Sequence, residues 1–576
     1  MIKCSLFKFI AASIMVLLLI FSGGCNYLES ANSSSPKIEK NNLEQPISAI
    51  FVSKQAPVML SILLSKEGLQ SVKRNREFSI IEENLFTNTD INFKKDVEPW
   101  LGDEITLAVM TADLDREVEN GKQPGYLMVL TTKEPEKSRE FVEILFSKRV
   151  LAGTTLKVKR YQGVKLIYDQ LQTDSFYPTG DPNQSKQTNS QSEIKSNLAA
   201  ALVGDRFVLF SNTPKILRQA INNVQAPNVN LVSSKKYHQA LNKLSDEKAA
   251  IAFLNLSQIA NWQDLELKNL VYDSQIISLN FNSQQLIAET SLLANKETSA
   301  TLSPLSQPVA ALKYIPKGAG LAISGTDLSN LSNTNVAQFW QQTRVAFSPS
   351  PENRISRLVQ PLENLTNNWG LNLSKDIFSW VTGEFAYCLL PSQEKIEPDW
   401  IFVAEKSPST SEGIARLDEI ARTNNLSINP FLLGEQKIYA WTQLTANTEL
   451  SSAGAKAQNF AIETKVRGVH TTVDNYEIFA SSVETINQAL AGKESSLINN
   501  KSFKDSIAQI PESNQGYLYI DWSKSREILE YQLPILRLAE IVGKPFFQKL
   551  HSLTISSYGE NSDTLQSKVI LQMDAS

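Results

Sequence analysis

Apolar residues recur along the chain in two rhythms, predicting short strands interrupted by amphipathic helices. ITLAVMT (105–111), GYLMVLTT (125–132), GVKLIYD (163–169), AALVGDRFVLFS (200–211) and AIAFLNL (250–256) are rich in β-branched and aromatic residues and bounded by turn residues, as strands are. IISLNF (276–281) and QLIAETSLLA (285–294), separated by Asn-Ser-Gln, read as a hairpin. Elsewhere the period lengthens. PEKSREFVEILF (135–146) sets Phe141, Ile144 and Leu145 on one helical face. TPKILRQAI (213–221) opens with Thr213 as N-cap and Pro214 at the first helical position. A third helix carries the stripe Tyr237, Leu241 and Leu244.

The same pattern returns in the second part of the chain. INFKKDVEPWLGDE (91–104) matches LNLSKDIFSWVTGE (371–384), so that Trp100 falls on Trp380 and Glu104 on Glu384. GYLMVL (125–130) then pairs with DWIFVA (399–404), VKLIY (164–168) with QKIYA (436–440), and GDRFVLF (204–210) with VDNYEIF (473–479). The helical stripe recurs as Phe503, Ile507 and Ile510, another helix carries Ile414, Leu417 and Ile420, and Ser481-Ser482-Val483-Glu484 offers a capping box. QQLIAETSLL (284–293) pairs with DTLQSKVILQ (563–572). Units this long are domains rather than solenoid repeats.

Short turns between consecutive strands require antiparallel pairing, and the helices are placed to cover one face. The expected fold is therefore α+β, with two tandem homologous domains, each a broad antiparallel sheet covered by amphipathic helices. The boundaries read as repeat domain 1 at 46–294, a polar linker at 295–308 and repeat domain 2 at 309–576. Two polar inserts, 171–197 and 444–459, follow equivalent strands and read as length-variable loops.

The N-terminus has the three parts of an export signal: Lys3 and Lys8, the apolar run FIAASIMVLLLIF (9–21), and small residues before Cys25. Gly23 and Gly24 suit a bacterial lipoprotein cleavage box, and Ser22 departs from it. The expectation is a signal peptide at 1–24, lipid attachment at Cys25 and a flexible tether at 25–45. Ordinary cleavage and an uncleaved anchor remain alternatives; in each case the bulk of the chain lies outside the cytoplasm.

Composition adds limits. Hydrophobic residues make up 42% and charged residues 20%, ordinary for a folded protein, and the net charge of −4 with no Lys/Arg run argues against nucleic-acid binding. Cys388 is the only cysteine in the folded body, so no disulfide framework is expected. His238, His470 and His551 lack metal-ligand spacing, and the S-x-x-K match at Ser192 has no partner motif. The acidic tip DLDREVEN (113–120) lacks the glycine of a calcium loop. No catalytic residue, metal or cofactor is expected.

The shared Lys-Asp pair and the Trp-x-x-x-Glu element, Trp100 with Glu104 and Trp380 with Glu384, read as structural anchors. With the strand–strand–helix pattern that follows and the N-terminal anchor, they resemble a cyanobacterial family of membrane-anchored proteins carrying a domain of unknown function. That resemblance covers most of 46–576 and implies a membrane-associated protein facing the periplasm or thylakoid lumen. The expected function is a non-enzymatic scaffold or assembly factor for a membrane complex. A carrier holding a lipid or pigment in an apolar cavity is the alternative, and a hydrolase comes last. The copies differ most at 526–550, where Leu536, Ile541, Phe546 and Phe547 form a candidate docking surface for a membrane-complex partner.

Overall fold

The computed structural model describes residues 45–64, 92–115, 122–170, 198–244, 248–262, 272–281, 284–294, 305, 308–329, 371–391, 398–449, 459–526, 547–561 and 564–573. The first half runs β1 (Val58–Leu63), β2 (Leu101–Thr111), β3 (Gly125–Thr132), α1 (Pro135–Leu151), β4 (Thr155–Tyr161), β5 (Val164–Gln170), β6 (Ala199–Val203) and β7 (Phe207–Ser211). It continues with α2 (Pro214–Gln225), α3 (Lys235–Leu241), β8 (Ala250–Asn255), α4 (Leu256–Trp262), β9 (Tyr272–Phe281) and β10 (Gln285–Ala294). The second half runs β11 (Leu321–Thr326), β12 (Glu384–Leu390), β13 (Asp399–Glu405), α5 (Thr410–Thr423), β14 (Ser427–Leu433), β15 (Gln436–Glu449), β16 (Asn459–Val473) and β17 (Tyr476–Ala480). It closes with α6 (Val483–Leu490), α7 (Lys501–Ile507), β18 (Tyr517–Asp521), β19 (Leu550–Asn561) and β20 (Thr564–Met573).

Among the described residues, 20 strands join one antiparallel sheet. In the first half the order across it is β4-β5-β6-β7-β3-β2-β1-β8-β9-β10. In the second it is β14-β15-β16-β17-β13-β12-β11-β18-β19-β20. Each strand thus has the neighbours of the strand ten places on, and the halves meet edge to edge through β10 and β20. The seam has a centre. The sequence match places Glu289 on Lys568, and the register pairs those same two residues, Leu286 with Leu571 and Leu292 with Leu565 flanking them. A local two-fold relation therefore passes between Glu289 and Lys568, which form an ion pair at 2.8 Å.

Helices pack on both faces rather than one, which corrects the expectation. Leu127 and Val129 of β3 face Ile216, Leu217, Ala220 and Ile221 of α2 and Tyr237 of α3. Met128 and Leu130, pointing the other way, cluster with Val142 and Phe146 of α1. In the second half Ile401 and Val403 join Ile486 of α6 and Phe503 of α7, while Phe402 and Ala404 join Leu417 and Ala421 of α5. The physical reason lies in the central strands, which are apolar at successive positions and need cover on both sides.

Other expectations shift locally. AALVGDRFVLFS is two strands, β6 and β7, because Gly204 turns the chain at φ 58°. In α1 the buried residues are Ser138, Val142 and Phe146, whereas Ile144 is exposed. The N-cap of α6 is Ser482, accepting from Thr485 N, while Ser481 bonds to Asp399. Residues 444–449 and 459 continue β15 and β16 as a long hairpin, and the rest of that insert, like 171–197, lies outside the described residues. Residues 1–44 and most of the linker also lie outside them.

Candidate functional site

The repeated signature builds the same local structure twice. Asn92 Oδ1 accepts from Lys95 N at 3.0 Å, and Asn372 Oδ1 from Lys375 N at 3.0 Å. Asp96 and Asp376 accept from the Asn92 and Asn372 amides, each at 2.7 Å. The wide turn so held presents a carbonyl to the indole, Trp100 Nε1 donating to Asp96 O and Trp380 Nε1 to Asp376 O. Glu104 then accepts from the amides of Ile47 (2.8 Å) and Ser48, and Glu384 from those of Ala310 (2.7 Å) and Ala311. Each glutamate satisfies free N–H groups at the start of a short helical turn, Ile47–Phe51 or Ala310–Tyr314. Burial raises the pKa of the Glu104 carboxyl, against the lowering effect of its hydrogen bonds with Thr106, Ser48 and Ile47. All four signature side chains are engaged within the fold, and of the four only Trp380 also borders a cleft.

The halves diverge next to this motif. In the first, the Phe141 ring lies between Trp100 and Phe210, at centroid distances of 5.3 and 6.4 Å. In the second, Gly413, Leu417 and Ala421 take the buried places that Ser138, Val142 and Phe146 hold on α1, so that Arg416, paired with Asp376, falls where Phe141 stands, and Trp380 and Phe479 remain 6.2 Å apart. A shallow cleft remains there, its cavity about 40 Å³ in volume and open to solvent. Its walls are Trp380, Trp400, Phe402, Trp441 and Phe479, with Leu371, Leu373, Ile377, Phe378, Leu417 and Gly468 completing it. Gly413 permits the close approach of the Trp380 ring, since a Cβ there would meet the indole at 2.5 Å. Trp441 occupies the position of Asp169 in the first half, where the carboxylate instead pairs with Arg149.

Behind the cleft lies a polar group that the sequence reading passed over. His470 is 4% exposed and stacks on Tyr439, Trp441 and Phe479 at 5.2, 5.1 and 5.5 Å. Its Nδ1 lies 2.8 Å from Glu477 Oε1, and Thr472 donates to Glu477 Oε2 at 2.6 Å. Its Nε2 is buried without a hydrogen-bond partner. By strand register the first half carries Ala200, Val208 and Leu202 at these three places. The available signal was that asymmetry, visible once the two copies are laid together in register.

Other candidates do not gather. Cys388 is fully buried, and desolvation raises its thiol pKa far above the ordinary value, which leaves no thiolate nucleophile. His238, on α3, contacts Val232 O, and His551 lies on β19. Among the described residues no group of three or more His, Cys, Asp or Glu is placed to hold a metal ion. Cys25, Leu536, Ile541 and Phe546 lie outside the described residues. Phe547 is half-buried and stacks on Trp522 at 5.2 Å.

A family model described as "Protein of unknown function (DUF3352)" matches residues 10–573. No curated protein matches the chain. Among solved structures, crystal form I of TP0453 matches with a TM-score of 0.22 and 9% identity, covering 45% of this chain and 82% of its own. Crystal form III gives 0.23 and 9%, covering 44% and 82%. Likeness at that level carries no argument about this chain.

Proposed function

The chain belongs to the DUF3352 family, and we propose that it is a non-enzymatic, extracytoplasmic binding protein, lipidated at Cys25, whose second half holds an apolar lipid-like ligand. The observation that carries this reading is the aromatic cleft, whose wall residues present no polar side chain. Such a wall favours alkyl chains or ring systems and disfavours charged groups, which would lose hydration without compensation. The first half supplies the contrast, because Phe141 takes up the matching space. Scaffolding of a membrane complex through 526–550 is the second reading; at Phe547 the contact is with the chain's own Trp522.

The test is twofold. Protein purified from membranes should carry stoichiometric lipid by native mass spectrometry, and Leu373→Trp, enlarging a half-buried side chain of the cleft wall, should remove that lipid without lowering the melting temperature. Lipid-free wild type, or retention by a folded Leu373→Trp variant, would sink the carrier reading. Cys25→Ala should release the protein from membranes or leave an unprocessed precursor; intact mass retaining Met1 in the wild type would refute the anchor.

A further inference from the structure

One corner of the sheet carries charge and exposed apolar surface together. Between Glu143 and Asp169 the chain has no acidic residue, yet it carries Lys148, Arg149, Lys157, Lys159, Arg160 and Lys165. These fall on the last turns of α1 and on the edge hairpin β4–β5. Arg149 pairs with Asp169, and the remaining cations have exposed side chains. The same corner exposes Leu151 (88%), Val158 (58%) and Val150 (49%). The register sets Arg160 directly opposite Lys165, a like-charge pair that costs stability unless an anion lies against it. The matching stretch of the second half, 416–440, balances Arg416, Arg422 and Lys437 with Asp418, Glu419 and Glu435.

We propose that this corner docks on an anionic lipid surface, the cations meeting headgroup phosphates and Leu151 and Val158 entering the interfacial layer. Charge complementarity names the partner: a basic edge bearing protruding aliphatic side chains matches an acidic bilayer, where each cation adds affinity and each buried methylene adds more. The inference extends the membrane-anchored reading, and it can be tested without the anchor. A chain starting at Asn26 loses none of the described elements. It should co-sediment with phosphatidylcholine vesicles containing about 30% phosphatidylglycerol, bind phosphatidylcholine alone far less, and dissociate in about 0.5 M salt. Lys157→Glu/Lys159→Glu/Arg160→Glu should weaken anionic-vesicle binding about 100-fold or more with an unchanged melting transition. Leu151→Ser/Val158→Ser should weaken it in a salt-independent way, and Lys437→Glu in the second half should leave it unchanged. Equal binding to both vesicle types, or a folded triple variant that binds as wild type, would overturn the proposal. So would affinity for duplex DNA equal to that for vesicles with no loss in the serine pair, which would mark a general polyanion surface. If the triple variant misfolds, the wild-type vesicle and salt comparison and the serine pair decide.

Discussion

Glu104 shows how one side chain ties an edge of the fold to its core. It reaches from β2 to the Ile47 and Ser48 amides, 57 and 56 residues away in sequence. Burial raises its pKa above the ordinary 4.5. The folded state therefore binds this proton more tightly than the unfolded chain. The contribution favouring folding is complete below the ordinary carboxylate range and is lost as pH rises through the raised folded value. Glu104→Gln should flatten that dependence, so its melting temperature should fall less than the wild type's between mildly acidic and neutral pH. An unchanged slope would show that other groups set it. The pairing of Trp100 with Trp380 was readable because tryptophan and its spacing recur in both stretches. The amides that Glu104 and Glu384 satisfy were not, since nothing in the sequence marks a contact over that separation.

Among the elements, α1 and α5 are equivalent helices with different consequences. Phe141 on α1 bridges Trp100 and Phe210, whereas the buried stripes of the two helices set Arg416 of α5, paired with Asp376, in its place. Phe141→Ala should open a cleft in the first half resembling that of the second, at a cost of about 3 kcal/mol, seen as a lowered denaturant midpoint. A negligible loss would mean that neighbouring side chains collapse into the space. The helices themselves were legible from period and capping, Thr213 and Pro214 opening α2 as expected. The buried face of α1 was not. Its true stripe, Ser138, Val142 and Phe146, includes a serine whose Oγ bonds back to Pro135 O, and so escapes a search for apolar residues. β4 escaped for a related reason: an edge strand needs apolar residues on neither face.

For the whole molecule, the seam between β10 and β20 decides whether two halves make one sheet. At its centre two identical side chains would repel, whereas Glu289 and Lys568 attract at 2.8 Å, and Lys568 also donates to Gln509 O. Lys568→Glu should destabilise the chain by roughly 3 kcal/mol, and adding Glu289→Lys should restore most of the loss. A double variant no better than the single would assign the effect to Lys568 alone. From its hydrophobic pattern, the sequence by itself determined the mixed class of the fold and most of its strands and helices. Those are local properties, set by side-chain period and turn chemistry, and they can be read without knowing what lies across the chain. Only the tertiary structure decided the strand order, the helices on both faces, the continuous 20-strand sheet and the cleft beside His470. Each of these depends on which residues, distant in sequence, come to share one face, and pairing energies between strands leave no periodic mark in the sequence.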